Sequence, residues 1–211
     1  MKKIGADEAG RGCVLGPLIV CAYCADDSLE PEFKAKGVRD SKLLTASTRA
    51  SLRNYLMTKG EASVVELSAQ EITRAMRSRV SLNELEARAV ADALKKLPEA
   101  PVIVDSPDPN PSKFARRIGK YYSGDVTAEN KADFNHVMAA AASIIAKEVR
   151  EQRVAELTEE LGDFGSGYPS DPRTKQFLEE HSADAAIQKH LRHEWDTLKQ
   201  YACLVKLSDF Q

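Results

Sequence analysis

Five short apolar segments constrain this chain more than anything else in it. Residues 3–8, 18–25, 62–68, 101–105 and 121–126 are mostly rich in Val and Ile and are bounded by Gly, Pro or Asp, as buried strands are. Helical periodicity fills the gaps at 45–58, 68–78 and 82–97, then takes over at 135–161, 171–180 and 187–201. In 82–97 the stripe Leu82, Leu85, Ala89, Ala93 and Leu97 follows Ser81, with Glu84 placed for a capping box. Strands mixed with helices, then helix alone, predict an α/β sheet domain with a helical C-terminal extension. The loop 162–172, with its Gly, Ser, Pro and Asp, marks the boundary, so we expect a domain over 1–160 and a helical region over 161–211.

Composition excludes several classes. The chain has 211 residues, 43% hydrophobic and 29% charged, which is globular rather than disordered or fibrous. Lys and Arg number 30 against 32 acids, a net charge of −2, so nucleic-acid binding would need a local basic face. No apolar stretch approaches the ~20 residues of a membrane span. Lys2 and Lys3 before the apolar residues 13–25 mimic a signal peptide, but Asp7, Glu8, Arg11 and Gly16-Pro17 interrupt it, so export is not expected. Cys21 and Cys24 form a C-x-x-C inside a strand, where odd spacing points the thiols to opposite faces; with Cys13 and Cys203 they read as free thiols in a reducing, cytoplasmic setting. His136, His181, His190 and His193 have no metal-ligand spacing with Asp7, Glu8, Asp105 or Asp133 and read as surface or packing residues.

The acids carry the chemistry. Asp7 and Glu8 stand together at the end of the first segment, before Gly10-Arg11-Gly12. Strand alternation would send them to opposite faces, and the glycines release that constraint. Val102-Ile103-Val104-Asp105 is an apolar strand ended by an acid, with Ser106-Pro107 forcing a turn, and open α/β sheets place ligands at such carboxyl ends. Asp133 precedes the longest helix, where its ordinary alternative role is to complement the helix dipole. Together Asp7, Glu8, Asp105 and Asp133 form a four-carboxylate set without His or Cys, suited to hard cations such as Mg²⁺ or Mn²⁺. Two such ions would clamp a phosphodiester, and without them the acids would raise one another's pKa.

These residues resemble a known family. DEAGRG at 7–12 with GPLIV at 16–20, DSKLL at 40–44, SLNELEA at 81–87, IVDSPD at 103–108, NKAD at 130–133 with AAASIIAK at 140–147, and GSGYPSDP at 165–172 are similar to the blocks of ribonuclease HII, its archaeal branch above all. The resemblance implies a ribonuclease-H-like mixed sheet flanked by helices, with the C-terminal helical region completing the substrate groove. It also implies an endonuclease that cuts RNA in RNA–DNA hybrids and at single ribonucleotides in duplex DNA. Cleavage would fall 5′ of the ribonucleotide and leave 3′-hydroxyl and 5′-phosphate ends. Asp7, Glu8, Asp105 and Asp133 match the family's metal-binding acids; Gly10, Arg11 and Gly12 match its glycine loop; Tyr168 matches the tyrosine beneath the RNA–DNA junction. One departure is visible. Where relatives often read K-A-D-x-x-Y-P, this chain has His136-Val137, and losing the proline predicts a shifted helix start beside Asp133.

Beside the resemblance stands the chemistry of recognition. Telling RNA from DNA means sensing a 2′-hydroxyl that both donates and accepts, which the backbone of residues 10–12 suits if no Cβ blocks approach. Tyr168, between Gly167 and Pro169, offers a flat ring for a sugar and a hydroxyl for a phosphate, or else anchors the C-terminal helices. Lys42, Ser143 and Lys147 are candidate phosphate contacts, the last two four residues apart on one helical face. Lys113, Arg116, Arg117 and Lys120 form a basic strip that, with Arg74, Arg77 and Arg79, either binds a duplex backbone or keeps the surface soluble, the first group being the better candidate for the backbone. The tail Leu207-Ser208-Asp209-Phe210-Gln211 resembles half of a sliding-clamp-binding motif, with Leu204 where the usual glutamine would stand. We expect a monomer with no membrane contact. The competing reading is a non-catalytic hybrid-binding module, disfavoured because a binder gains nothing from clustered acids near phosphates. A nucleotide-binding phosphotransferase lacks its phosphate loop.

Overall fold

The computed structural model describes residues 1–39 and 44–201. The strands are β1 Lys2–Ala9, β2 Leu18–Asp26, β3 Glu61–Leu67, β4 Val102–Asp105 and β5 Val126–Glu129, and they form one sheet in the order β3-β2-β1-β4-β5. β1 and β2 are antiparallel, while β4 runs parallel to both β1 and β5, so the sheet is mixed. The helices are α1 Glu30–Ala35, α2 Ala46–Met57, α3 Ala69–Arg77, α4 Leu82–Leu94, α5 Pro111–Ile118, α6 Ala132–Asn135, α7 Val137–Leu161, α8 Pro172–His181, α9 Ala185–Gln188 and α10 Asp196–Lys199.

Two compact units interleave along the chain: residues 1–9, 19–66 and 82–149, and residues 10–18, 67–81 and 150–211. In the first unit β2 is buried along all but its last residue, as expected for a strand covered on both faces. One core packs Ile19, Tyr23, Phe33 and Leu56 with Met138, Ala142 and Ile145 of α7. Gly5 lets α7 approach β1 closely, since a Cβ there would lie 2.0 Å from the Met138 carbonyl carbon. The second unit has its own core of Val14, Leu15, Phe164, Phe177, Leu178, Ile187 and Leu191. Cys13, Cys21 and Cys24 are buried thiols. Among the described residues no helix is long and apolar enough to cross a membrane.

Two expected elements fall elsewhere. The strand expected at 121–126 begins where that segment ends: Tyr121 and Tyr122 turn back on Ile118, and residues 126–129 join the sheet because their ladder pairs with β4, Val102 against Val126 through Asp105 against Glu129. The helix expected over 187–201 is broken between α9 and α10. There the backbone pairs with the 14–16 segment, the Gly16 N–H donating to His190 O (3.0 Å) and the Arg192 N–H to Val14 O (2.9 Å). Periodicity could not foresee that pairing. α5 follows a Pro-led start that the apolar pattern alone did not flag.

Candidate metal centre

The sheet register assembles the acids. Ala6 pairs with Val104 in the parallel ladder, so Asp7 and Asp105 follow one another on neighbouring strands at the same level. Glu8 remains inside β1, opposite Val20. The glycines therefore do not turn it, and its N–H donates to Asp7 Oδ1 (2.7 Å). Carboxylate oxygens of Asp7, Glu8 and Asp105 lie within 4.8 Å of one another. Asp133 stands outside that trio but buried, close enough for its charge to raise Asp7.

Local contacts hold this geometry. The Asp105 carboxylate accepts from the Ala132 N–H at 2.6 Å, which ties the end of β4 to the start of α6. Asn130 donates to both Ser106 O (3.0 Å) and Asp108 O (2.9 Å), joining the loops that carry Asp105 and Asp133. Lys131 takes a left-handed conformation (φ 61°) that opens α6. His136 is extended (φ −126°, ψ 119°), so the helix still breaks before Val137 without the proline. Its ring meets Glu129 at 2.8 Å.

Asp7 is 6% exposed and its carboxyl is pushed up to about 8. Burial is the largest cause, followed by the Asp105 charge; a hydrogen bond from Ser143 opposes the rise, and Asp133 adds to it. A buried acid held against the charges of neighbouring carboxylates fits a hard divalent cation. Lys147 is half-buried one turn beyond Ser143 on α7. Lys42 lies outside the described residues, as do Cys203 and the tail 207–211.

The glycine and tyrosine loops belong to the second unit. Cys13 N–H closes a turn on Gly10 O with Arg11 and Gly12 at its centre. Gly10 is left-handed (φ +87°), and a Cβ there would come within 2.8 Å of Pro17 O. Gly12 differs: its Cβ would meet nothing nearer than the Tyr168 ring at 3.6 Å, an ordinary contact. The Tyr168 loop is held by Thr174, whose hydroxyl donates to Phe164 O (2.8 Å) and accepts from the Gly167 N–H (3.0 Å), and by Val14 N–H donating to Gly167 O (2.8 Å). Of the other histidines, His181 meets Asp184 and His193 meets Gln188 O, while His190 stands 3.8 Å from Glu160.

Sequence reading missed Arg150 and Arg192, both buried. Arg192 donates to Arg11 O (2.8 Å) and Gly16 O (3.0 Å). The available signal was an arginine seven residues beyond Ser143, on a helix face that should be apolar.

Comparison with known proteins settles the family. The ribonuclease HII family model matches residues 4–198. The chain belongs to the ribonuclease HII family. Ribonuclease HII of Pyrococcus abyssi is 41% identical over 206 residues, covering 95% of this chain and 91% of that protein. The ribonuclease H2 structure from Pyrococcus horikoshii superposes with a TM-score of 0.87 at 36% identity, covering 98% of this chain and 99% of that one. Ribonuclease HII of Archaeoglobus fulgidus, solved in a complex with PCNA, gives a TM-score of 0.86 at 37% identity over 93% of this chain and 96% of that one. A ribonuclease HIII solved with Mn²⁺ shares the fold at 22% identity (TM-score 0.78). As a ribonuclease HII the chain is an endoribonuclease of the ribonuclease H type, the class that cuts RNA paired with DNA.

Proposed function

We propose that this ribonuclease HII cuts RNA–DNA hybrids and duplex DNA carrying single ribonucleotides, on the 5′ side of the ribonucleotide, leaving 3′-hydroxyl and 5′-phosphate ends. One observation carries the reading: acidic oxygens from β1 and β4 gather within 4.8 Å. Asp7, Glu8 and Asp105, with Asp133, would hold Mg²⁺ or Mn²⁺. When bound, the ions supply an activated water and stabilise the leaving oxygen. Ser143 orients the Asp7 carboxylate by hydrogen bonding.

Recognition of the ribose falls to the second unit. The peptide groups of Gly10, Arg11 and Gly12 donate to and accept from the 2′-hydroxyl, and Tyr168 packs its ring on the sugar and turns its hydroxyl to the phosphate. Gly12 supports this role, because no described residue forbids a Cβ there, leaving close approach by a ligand as the reason for a glycine. Lys147 faces phosphate oxygens, joined by Lys42, while the one hydroxyl proton of Ser143 is committed to Asp7. The A. fulgidus relative's complex with PCNA supports a sliding clamp as partner, reached through the tail 207–211.

The test is incubation with duplex DNA carrying one ribonucleotide, in Mg²⁺, Mn²⁺ or EDTA, with the cut mapped. We expect a single 5′ cut in either metal and none in EDTA. Asp7→Asn should bind hybrid nearly as well while losing at least about 100-fold in cleavage. Cleavage by Asp7→Asn at the parent rate would remove the metal assignment.

A further inference from the structure

Arg150 is 1% exposed, yet among the described residues no carboxylate pairs with it. A buried charge is costly unless it is satisfied, and an apolar side chain of similar volume would fill the space as stably. What the guanidinium adds is direction. Its Nη2 donates to Ser166 O (2.7 Å) and meets Cys13 Sγ (2.8 Å). Its Cζ lies over the Tyr168 ring, 5.0 Å from the ring centre. Its Nε and Cδ press on Gly10, where an added Cβ would come within 2.5 and 2.7 Å of them. The Tyr168 hydroxyl is itself hydrogen-bonded to Cys13. One planar group thus touches the start of the 10–13 turn, its closing cysteine, the carbonyl two residues before Tyr168, and the tyrosine ring.

We propose that Arg150 is a positioning residue for ribonucleotide recognition, fixing the 10–12 turn and the Tyr168 ring in one relative placement. This rests on the reading that those groups touch the ribose. Lysine cannot substitute: it keeps the charge but loses the fork that donates in plane while stacking on a ring. Continuous hybrid presents a 2′-hydroxyl at every linkage, so a loosened reader still finds some that fit. A single ribonucleotide offers one. Loss of Arg150 therefore falls hardest on the single-ribonucleotide substrate.

The experiment measures kcat and KM of the full-length enzyme on duplex DNA with one ribonucleotide and on continuous RNA–DNA hybrid. Parent, Arg150→Lys, Cys13→Ala, Tyr168→Phe and Gly12→Ala are compared. Loss of folded enzyme lowers both activities equally and leaves their ratio alone. We expect Arg150→Lys to lower the ratio roughly 10- to 100-fold, chiefly through kcat, with Cys13→Ala moving it the same way by less. In the Tyr168→Phe background Arg150→Lys should cost less than it does alone, as residues in one network do. An unchanged ratio in both Arg150→Lys and Cys13→Ala, while Tyr168→Phe and Gly12→Ala lower it, overturns the assignment and leaves the functional reading standing. A ratio unmoved by Tyr168→Phe and Gly12→Ala overturns the reading, and the assignment with it.

Discussion

Gly10 and Gly12 sit two residues apart and serve different ends. Gly10 is required by the fold: its φ is left-handed and a Cβ would strike Pro17 O and Arg150. Gly10→Ala should therefore cost about 1–3 kcal/mol in denaturant unfolding. Gly12→Ala should change stability by no more than about 0.5 kcal/mol, because its Cβ meets open space and one ring edge. Its cost should appear in cleavage at a single ribonucleotide. Asp7 gives a second prediction at this scale. Its carboxyl, 3.8 when free, is raised to about 8 in the fold. Between those values the folded protein holds a proton that the unfolded chain has lost, so in chelator stability should fall as pH rises from about 4 to about 8. Asp7→Asn should flatten that slope and make the protein more stable than the parent at pH 8. Added Mg²⁺ or Mn²⁺ should restore the parent alone, by about 2.7 kcal/mol at a hundredfold excess over Kd.

Among the elements, β4 and the α6 entry are decisive. β4 has only four residues, and its last is an acid whose placement depends on the turn that follows. Asn130 anchors that turn through two carbonyls, and the Ala132 N–H anchors the carboxylate itself. Asn130→Ala leaves both carbonyls short of a donor, a loss of about 1–3 kcal/mol, and should lower kcat with metal affinity reduced in step. Titration of metal-dependent activity separates this from simple unfolding. The same region shows how far local pattern reaches. Val102-Ile103-Val104-Asp105 announces an acid at a strand end, but β5 is displaced to 126–129 because a parallel ladder selects its register through β4, not through its own letters. His136 breaks the helix without proline because its ring is engaged with Glu129 and its backbone is extended.

For the whole molecule, the net charge of −2 leaves substrate attraction to local faces. On α5, Lys113 and Arg116 are exposed, whereas Arg117 is spent on Glu84 (2.9 Å) and Lys120 on the same carboxylate (3.2 Å). Replacing Lys113 and Arg116 by Gln should flatten the dependence of log binding on log salt by about 2, near 0.9 for each phosphate contact. Adding Arg117→Gln should flatten it little further; an unchanged slope throughout would assign the strip to solubility. The letters alone sufficed for the α/β class, the acids at strand ends and the tight glycine turn, because each depends on neighbours a few residues away. Only the tertiary structure decided which residues complete the sheet, why the last helix breaks, and why arginines at 150 and 192 lie inside. Those outcomes depend on backbone pairing and desolvation between segments far apart in the chain, energies that no window of sequence contains.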